Sequence, residues 1–292
     1  MAIVDVVIVA YKNADQLKKC LSSLANQSCE HAIYVADNGH DRETKSMVEA
    51  LFPEVTMEAM NGNVGFGAAS NLAFSLGTSP VVLFLNPDTS LRSEFDLQAC
   101  ASLLESDGCI GLVGAKLVTA SGKLDHACKR GEPTPWRSIA YAFKLNKIAP
   151  KSRLFSGYLF GWIDEDSAGP VEAINGAFMM ATRTMLASLD YVFDPRFWMY
   201  MEDLDLCRRV RERGLTVWYE PTVSVFHAKA GTEAGRRGAR TTSAFYRSAM
   251  LYYGKWYPGA KRARPDWLVL MALLWIRSRM ADRQLKQEIV AA

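Results

Sequence analysis

The chain of 292 residues is long enough to bury a sizeable core, and its 49% apolar and 22% charged residues are ordinary for a soluble globular protein. A formal charge of +3, from 34 Lys and Arg against 31 Asp and Glu, excludes the strongly basic balance that argues for nucleic acid as a partner. The six cysteines, at 20, 29, 100, 109, 128 and 207, form no CxxC and no His-paired metal spacing, which points to a reduced, cytoplasmic compartment.

The opening run "IVDVVIVA", Ile3 to Ala10, is nearly all β-branched, as in a strand covered on both faces. The preceding residues read as having no secretory leader. In "ADQLKKCLSSLANQ", Leu17, Leu21 and Leu24 recur at helical spacing. "HAIYVADNG" reads as a second strand ending in Asp37 and Asn38, "RETKSMVEALF" as a helix and "EVTMEAM" as a short strand. "NVGFGAASNLAFSLG" is a glycine-bearing loop running into a helix, followed by the strand "VVLFL" and the abrupt polar break Asn86, Pro87, Asp88, Thr89, Ser90. Pro-Asp after a strand is ordinary turn chemistry, and it also suits a carboxylate held at the lip of a site. Residues from about Gly122 to Gly169 read as loops and short elements over one face of the sheet. Regular patterns resume in "VEAINGAFMMATRTMLASL", "YVFDPRFWMYMEDLDLCRRVRERG" and "LTVWYEPTVSVFH", and the remainder is helical with basic punctuation. Strands alternating with helices predict an α/β fold with a mainly parallel central sheet, whose ligands sit beyond the carboxyl ends of the strands. Asp37 and Asp88 both fall there.

Three further clusters carry chemistry. Glu202, Asp203 and Asp205 open a helix that ends in four arginines and Gly214. That arrangement suits the helix dipole, with Asp205 and Arg209 spaced for an i,i+4 pair. The acids also follow the aromatic-rich "FDPRFWMYM", a setting that raises a carboxyl pKa toward general-base duty. His227 ends an apolar strand and leads into "AKAGTEAGRRGAR", where Arg236 and its neighbours either face phosphate oxygens or form a solvated loop. A His beside Asp88 would complete a divalent-cation site. Gly65 and Gly67 do not make a dinucleotide fingerprint, because a full GxGxxG belongs after the first strand, where the chain reads "AYKNADQ". That absence argues against a nicotinamide oxidoreductase.

"VDVVIVAYKNADQLKKCLSSL", "YVADNG", "NVGFGAASNLAF", "VLFLNPDTSL", "INGAFMMATR" and "FDPRFWMYMEDLDLCRRVRERG" occur in the order seen in family 2 glycosyltransferases. The chain resembles the bacterial rhamnosyltransferase-like branch over residues 3 to about 227. The resemblance implies a GT-A fold, a nucleotide-sugar donor, Mg²⁺ or Mn²⁺, and inversion at the anomeric carbon. It assigns Ala10 and Tyr11 to the nucleoside pocket with Asp37 and Asn38 at the base, and Gly65 to the donor side. Asp88 takes the last position of a DxD-type motif whose first position is Asn86, which leaves His227 as a second metal ligand. Asp203 matches the catalytic base, with Glu202 and Asp205 beside it, and Asn175 and Gly176 match the segment lining the donor sugar.

The expected organisation is a catalytic domain over residues 1–230, with a nucleotide-sugar half (1–120) and an acceptor half (121–230), followed by a basic loop and helical extension over 231–292. The expected reaction moves a sugar, L-rhamnose from dTDP-rhamnose in first place, to a glycan or lipid-linked glycan of the bacterial surface. A UDP-hexose such as UDP-galactose or UDP-glucose is the alternative donor, and a non-catalytic nucleotide-sugar- or glycan-binding subunit the alternative role. No run reaches the ~18 consecutive apolar residues of a membrane span. The nearest, "WLVLMALLWI", has basic flanks and reads either as a helix lying on an anionic membrane surface or as one packed on the catalytic domain or a second subunit.

Overall fold

β1, Val4–Ala10, is buried at every position, as its β-branched run requires. In the computed structural model, which describes residues 4–229 and 238–291, it lies between β2 (His31–Asp37) and β4 (Val81–Leu85). Both neighbours run parallel to it, and β3 (Thr56–Ala59) extends the parallel half beyond β2. The other half is mixed. β8 (Phe178–Thr182) is antiparallel to β4 and to β6 (Ile110–Val118), and β9 (Thr216–His227) is parallel to β6. β5 (Thr89–Leu91) and β7 (Gly169–Val171) pair antiparallel with β9, giving the order β3-β2-β1-β4-β8-β6-β9-β5 with β7 also on β9. The parallel register brings Ala10 opposite Asp37, so the carboxyl ends of β1 and β2 finish side by side.

Helices cover the sheet by their apolar faces. α1 (Ala14–Leu24) buries Leu17, Cys20, Leu21 and Leu24, the stripe read from its sequence. α2 (Arg42–Leu51) is capped by Asp41, which accepts from the Thr44 amide at 3.1 Å. α3 (Phe66–Leu76) begins after Gly65, and the reason for glycine there is specific. Its φ is +90°, and an added Cβ would lie 2.1 Å from the Trp198 carbonyl oxygen. Gly65→Ala is therefore expected to lower stability by more than about 2 kcal/mol. Urea unfolding tests this, and an unchanged midpoint would contradict the packing argument.

α4 (Asp96–Ser106) leads into β6, and the stretch read as irregular holds two helices, α5 (Pro135–Ala142) and α6 (Leu145–Ile148). α7 (Arg183–Ala187) follows β8, and α8 (Glu202–Glu212) precedes β9. β9 alternates half-buried and buried side chains, and its ladder with β6 shifts register around Pro221, which has no amide hydrogen to donate. α9 (Ala239–Trp256) is anchored on the catalytic half, where Ser248 Oγ donates to the Met199 carbonyl at 2.8 Å. α10 (Pro265–Ala291) packs along α9 and against α5. No helix among the described residues is long and apolar enough to cross a membrane.

Candidate active site

Asn86, Pro87, Asp88 and Thr89 form a β-turn, with the Thr89 amide donating to the Asn86 carbonyl at 3.2 Å and Pro87 at the second position. The turn is thus both what its composition suggests and a mount for a carboxylate. The Asp88 carbonyl accepts from the Ala228 amide at 2.9 Å, and Thr89 pairs with His227 in the β5–β9 ladder. Two residues 139 positions apart therefore meet, with His227 Nε2 3.4 Å from Asp88 Oδ1. The other imidazole nitrogen, Nδ1, lies 3.1 Å from Asp125 Oδ2. Asp125 also caps the turn at His126–Cys128 and accepts from Lys229 Nζ at 2.8 Å. Burial disfavours a charged imidazole, yet the bonds to Asp125 and Asp88 more than offset it and raise His227 to about 9. Burial likewise opposes ionisation of Asp125, but His227 and Lys229 hold it well below the usual carboxylate range.

Nε2 thus faces a position that favours positive charge, between a hard carboxylate and an imidazole whose other nitrogen is fixed by an acid. That donor chemistry fits Mg²⁺ or Mn²⁺ and follows the carboxylate–histidine–metal arrangement. Among the described residues no group of three or more His, Cys, Asp and Glu converges as a closed metal cage. Asp88 and His227 would supply a sparse ligand set, which hard cations that retain water accept.

The second half of the site is the start of α8. Tyr200 and Met201 immediately before it both have φ of +70°, an unfavourable conformation for large side chains that costs about 1–3 kcal/mol each. The bend aims Asp203 inward, where it forms an ion pair with the buried guanidinium of Arg130. Asp203 Oδ1 accepts from the Leu204 amide at 2.7 Å, and Oδ2 sits 3.4 Å from the Gly176 amide. Arg130 is fixed by a β-bridge to Ala173 and also donates to the Ile174 carbonyl at 3.3 Å. The neighbours of Asp203 are therefore a cation and backbone rather than aromatic rings, which corrects the sequence expectation for this residue.

That expectation describes Glu202 better. It is buried, its Oε2 has no hydrogen-bond partner, and burial, then the Asp203 charge, push its pKa well above the usual 4.5. A raised carboxyl pKa contributes stability in full below 4.5 and loses it as pH rises toward the folded value. Glu202→Gln should therefore gain stability relative to the parent as pH is taken from 5 to 8. A constant difference in unfolding free energy across that range would contradict it.

Asp205 is placed away from any substrate. Fully buried, it accepts from Arg209 Nε at 2.8 Å, Lys255 Nζ at 2.6 Å and Trp256 Nε1 at 2.9 Å. The i,i+4 pair foreseen with Arg209 forms, and the proposed catalytic role does not fit. Asp205→Asn is expected to cost about 3 kcal/mol of stability by leaving the largely buried Arg209 without its carboxylate, while Lys255 keeps Asp194, without lowering turnover per folded molecule. Thermal unfolding and active-site-normalised kcat separate the two effects. Asp194 is similarly tied to Arg196 and Lys255.

At the carboxyl ends of β1 and β2, Asp37 is buried and accepts from the Gly39 amide at 3.0 Å, and the exposed Tyr11 follows Ala10, the register partner of Asp37. Asn38 is engaged by its own loop. Its amide donates to Asn63 Oδ1 at 3.1 Å and the Gly65 carbonyl at 3.4 Å, while its oxygen accepts from the Val64 amide at 2.9 Å. These bonds pin the 63–65 loop. Asn175 Oδ1 accepts from the Ala177 amide at 3.0 Å, and the Ala177 carbonyl accepts from the Asn86 amide at 3.0 Å, so the Asn175–Gly176 turn joins the Asp88 turn to Asp203. Arg236 lies outside the described residues.

Sequence reasoning missed Asp125 and Arg130. Both belong to the hexapeptide "DHACKR", whose first residue holds His227 and whose last holds Asp203. Six residues span at most ~20 Å, which bounds the distance between the two groups that the strap holds. A cavity of about 560 Å³, lined in part by His126, Lys129, Trp162 and Ile163, opens beside it.

Residues 5–167 match the family described as Glycosyl transferase family 2. The chain is 26% identical, over 97% of both chains, to the N-acetylglucosaminyl-diphospho-decaprenol L-rhamnosyltransferase of Mycobacterium tuberculosis. It is 24% identical to rhamnosyltransferase WbbL of Escherichia coli, over 77% of this chain and 83% of that one. The mannosyltransferase PcManGT of Pyrobaculum calidifontis, solved with GDP-Man and Mn²⁺, superposes with a TM-score of 0.58 at 17% identity, over 99% of this chain and 75% of that one. Residues 1–349 of S. aureus TarS give a TM-score of 0.56 at 14% identity, over 86% of this chain and 64% of that one. These likenesses establish the GT-A fold.

Proposed function

The chain belongs to glycosyl transferase family 2 and is a glycosyltransferase, and from that premise we propose that it moves L-rhamnose from dTDP-rhamnose, with inversion, to a glycan or lipid-linked glycan of the bacterial envelope. The donor reading leans on the two similar rhamnosyltransferases, and the acceptor reading on the decaprenol-linked substrate that one of them is named for. The observation that carries the reading is the strap 125–130, whose first residue bonds His227, itself beside Asp88, and whose last residue pairs with Asp203.

In this reading Asp203 takes the proton of the acceptor hydroxyl as that oxygen attacks the anomeric carbon. The new C–O bond forms opposite the departing nucleoside diphosphate, so configuration inverts in one displacement. Arg130 fixes the orientation of the Asp203 carboxylate, the form that accepts a proton. Asp88 and His227 would hold Mg²⁺ or Mn²⁺, which when bound neutralises charge on the diphosphate. Proximity of the two substrates supplies much of the remaining rate.

The test is nucleoside diphosphate release from dTDP-rhamnose, UDP-glucose, UDP-galactose and GDP-mannose, each with Mn²⁺ or with EDTA. The expected result is the highest kcat/KM with dTDP-rhamnose and loss of turnover in EDTA. Preference for a UDP-hexose would overturn the donor assignment, and undiminished turnover in EDTA the metal assignment.

A further inference from the structure

We propose that the protein docks on the surface of an anionic lipid bilayer through a basic, apolar face built from the α5–α6 stretch and the outward side of α10. This deepens the lipid-linked acceptor of the reading above, and its test requires no sugar transfer.

Residues 133–163 contain Arg137, Lys144, Lys147, Lys151 and Arg153 and not one Asp or Glu. Within this stretch Phe143 is 63% and Ile148 77% exposed, and Lys144, Lys147 and Lys151 are exposed between and beyond them. Large apolar side chains interleaved with lysines in this way cover no neighbour of the fold. α5 lies against α10, so the second surface adjoins the first.

α10 is apolar on two faces. Leu270, Leu274 and Ala281 form its buried stripe, while Leu268, Trp275, Ile276 and Met280, each 49–57% exposed, recur at helical spacing on the opposite side. A helix that is apolar all round needs a second apolar environment. Arg279 is exposed at this face, with its guanidinium 5.4 Å from the Trp275 ring. Trp with flanking Arg and Lys matches the headgroup boundary of a bilayer, where rings sit at the acyl edge and cations meet phosphate.

Charge decides between a bilayer and a second copy of the chain. An isologous interface sets a patch against itself, which would bring these arginines and lysines together without compensating acids. The nearby Asp266 and Asp282 are already paired, with Arg264 and Arg247. An anionic surface satisfies the same cations.

The experiment is co-sedimentation of the full chain with vesicles of phosphatidylcholine alone, or with about 30% phosphatidylglycerol, at low and high salt. Binding is expected only to the anionic vesicles and should weaken as salt rises. Lys144→Glu/Lys147→Glu/Lys151→Glu and, separately, Trp275→Ser/Ile276→Ser should each lower partitioning by at least ~10-fold. Hydrolysis of the nucleotide-sugar donor should stay unchanged in both, which shows that the fold persists. Absent or lipid-independent binding by the parent, or full binding by both variants, would overturn the proposal. So would a parent dimer that Trp275→Ser/Ile276→Ser converts to monomer, since that outcome assigns the face to a second copy.

Discussion

Asp203→Asn is expected to lower kcat for glycosyl transfer by about 10²–10⁴-fold, with donor affinity changed only a few-fold. Asparagine keeps the size and the hydrogen bonds but cannot take the proton of the acceptor hydroxyl. The geometry adds a second consequence. Arg130 is buried with its guanidinium on Asp203, so the neutral amide leaves a buried cation unmatched and should cost about 3 kcal/mol or more of stability. Arg130→Met/Asp203→Asn removes both charges and should recover much of that loss without restoring transfer. Isothermal titration with the donor, unfolding and single-turnover transfer give the three readouts. Transfer at the parent rate in Asp203→Asn would remove this residue as the base.

His227→Ala is expected to weaken Mn²⁺ binding by at least ~100-fold and transfer by about 10²–10³-fold, because only Asp88 would remain on the protein side. The same variant should relieve the constraint on Asp125, which in the parent is bonded to His227 and Lys229. Asp125→Asn should weaken Mn²⁺ binding by roughly 10–100-fold through the orientation of the imidazole, with a smaller effect on donor binding in the absence of metal. Electron paramagnetic resonance of Mn²⁺ in the presence of a nucleoside diphosphate measures both. Unchanged Mn²⁺ affinity in His227→Ala would place the cation elsewhere.

The parts of this molecule legible in its sequence are those written in local pattern. "VVLFL" is buried at all five positions of β4, and the spacing of Leu17, Leu21 and Leu24 marks the buried side of α1. The break at Asn86–Thr89 marks the turn that carries Asp88. Side-chain direction was less legible. Asp203 and Asp205 look equivalent in "EDLD", but two residues advance a helix by about 200°, so one faces Arg130 and Gly176 while the other faces Lys255 and Trp256. Asn38 stands beside Asp37 in sequence, and the loop it holds engages its amide. Asp125 and Arg130 carry no spacing signal, because their partners are 102 and 73 positions away, His227 at the end of β9 and Asp203 in the first turn of α8. Only the chemistry of the partners could have suggested them, since a ligating imidazole needs an acceptor behind it and a buried carboxylate needs a cation.

The most direct measurement is anomalous diffraction from crystals grown with Mn²⁺ and a nucleoside diphosphate. A single Mn²⁺ bonded to Asp88 and to His227 Nε2, bridging to the diphosphate, with Asp203 across the same cleft and Asp125 still behind the imidazole, is the predicted result. A diphosphate bound with its cation away from Asp88 and His227, or on a face that Asp203 does not reach, would contradict the account.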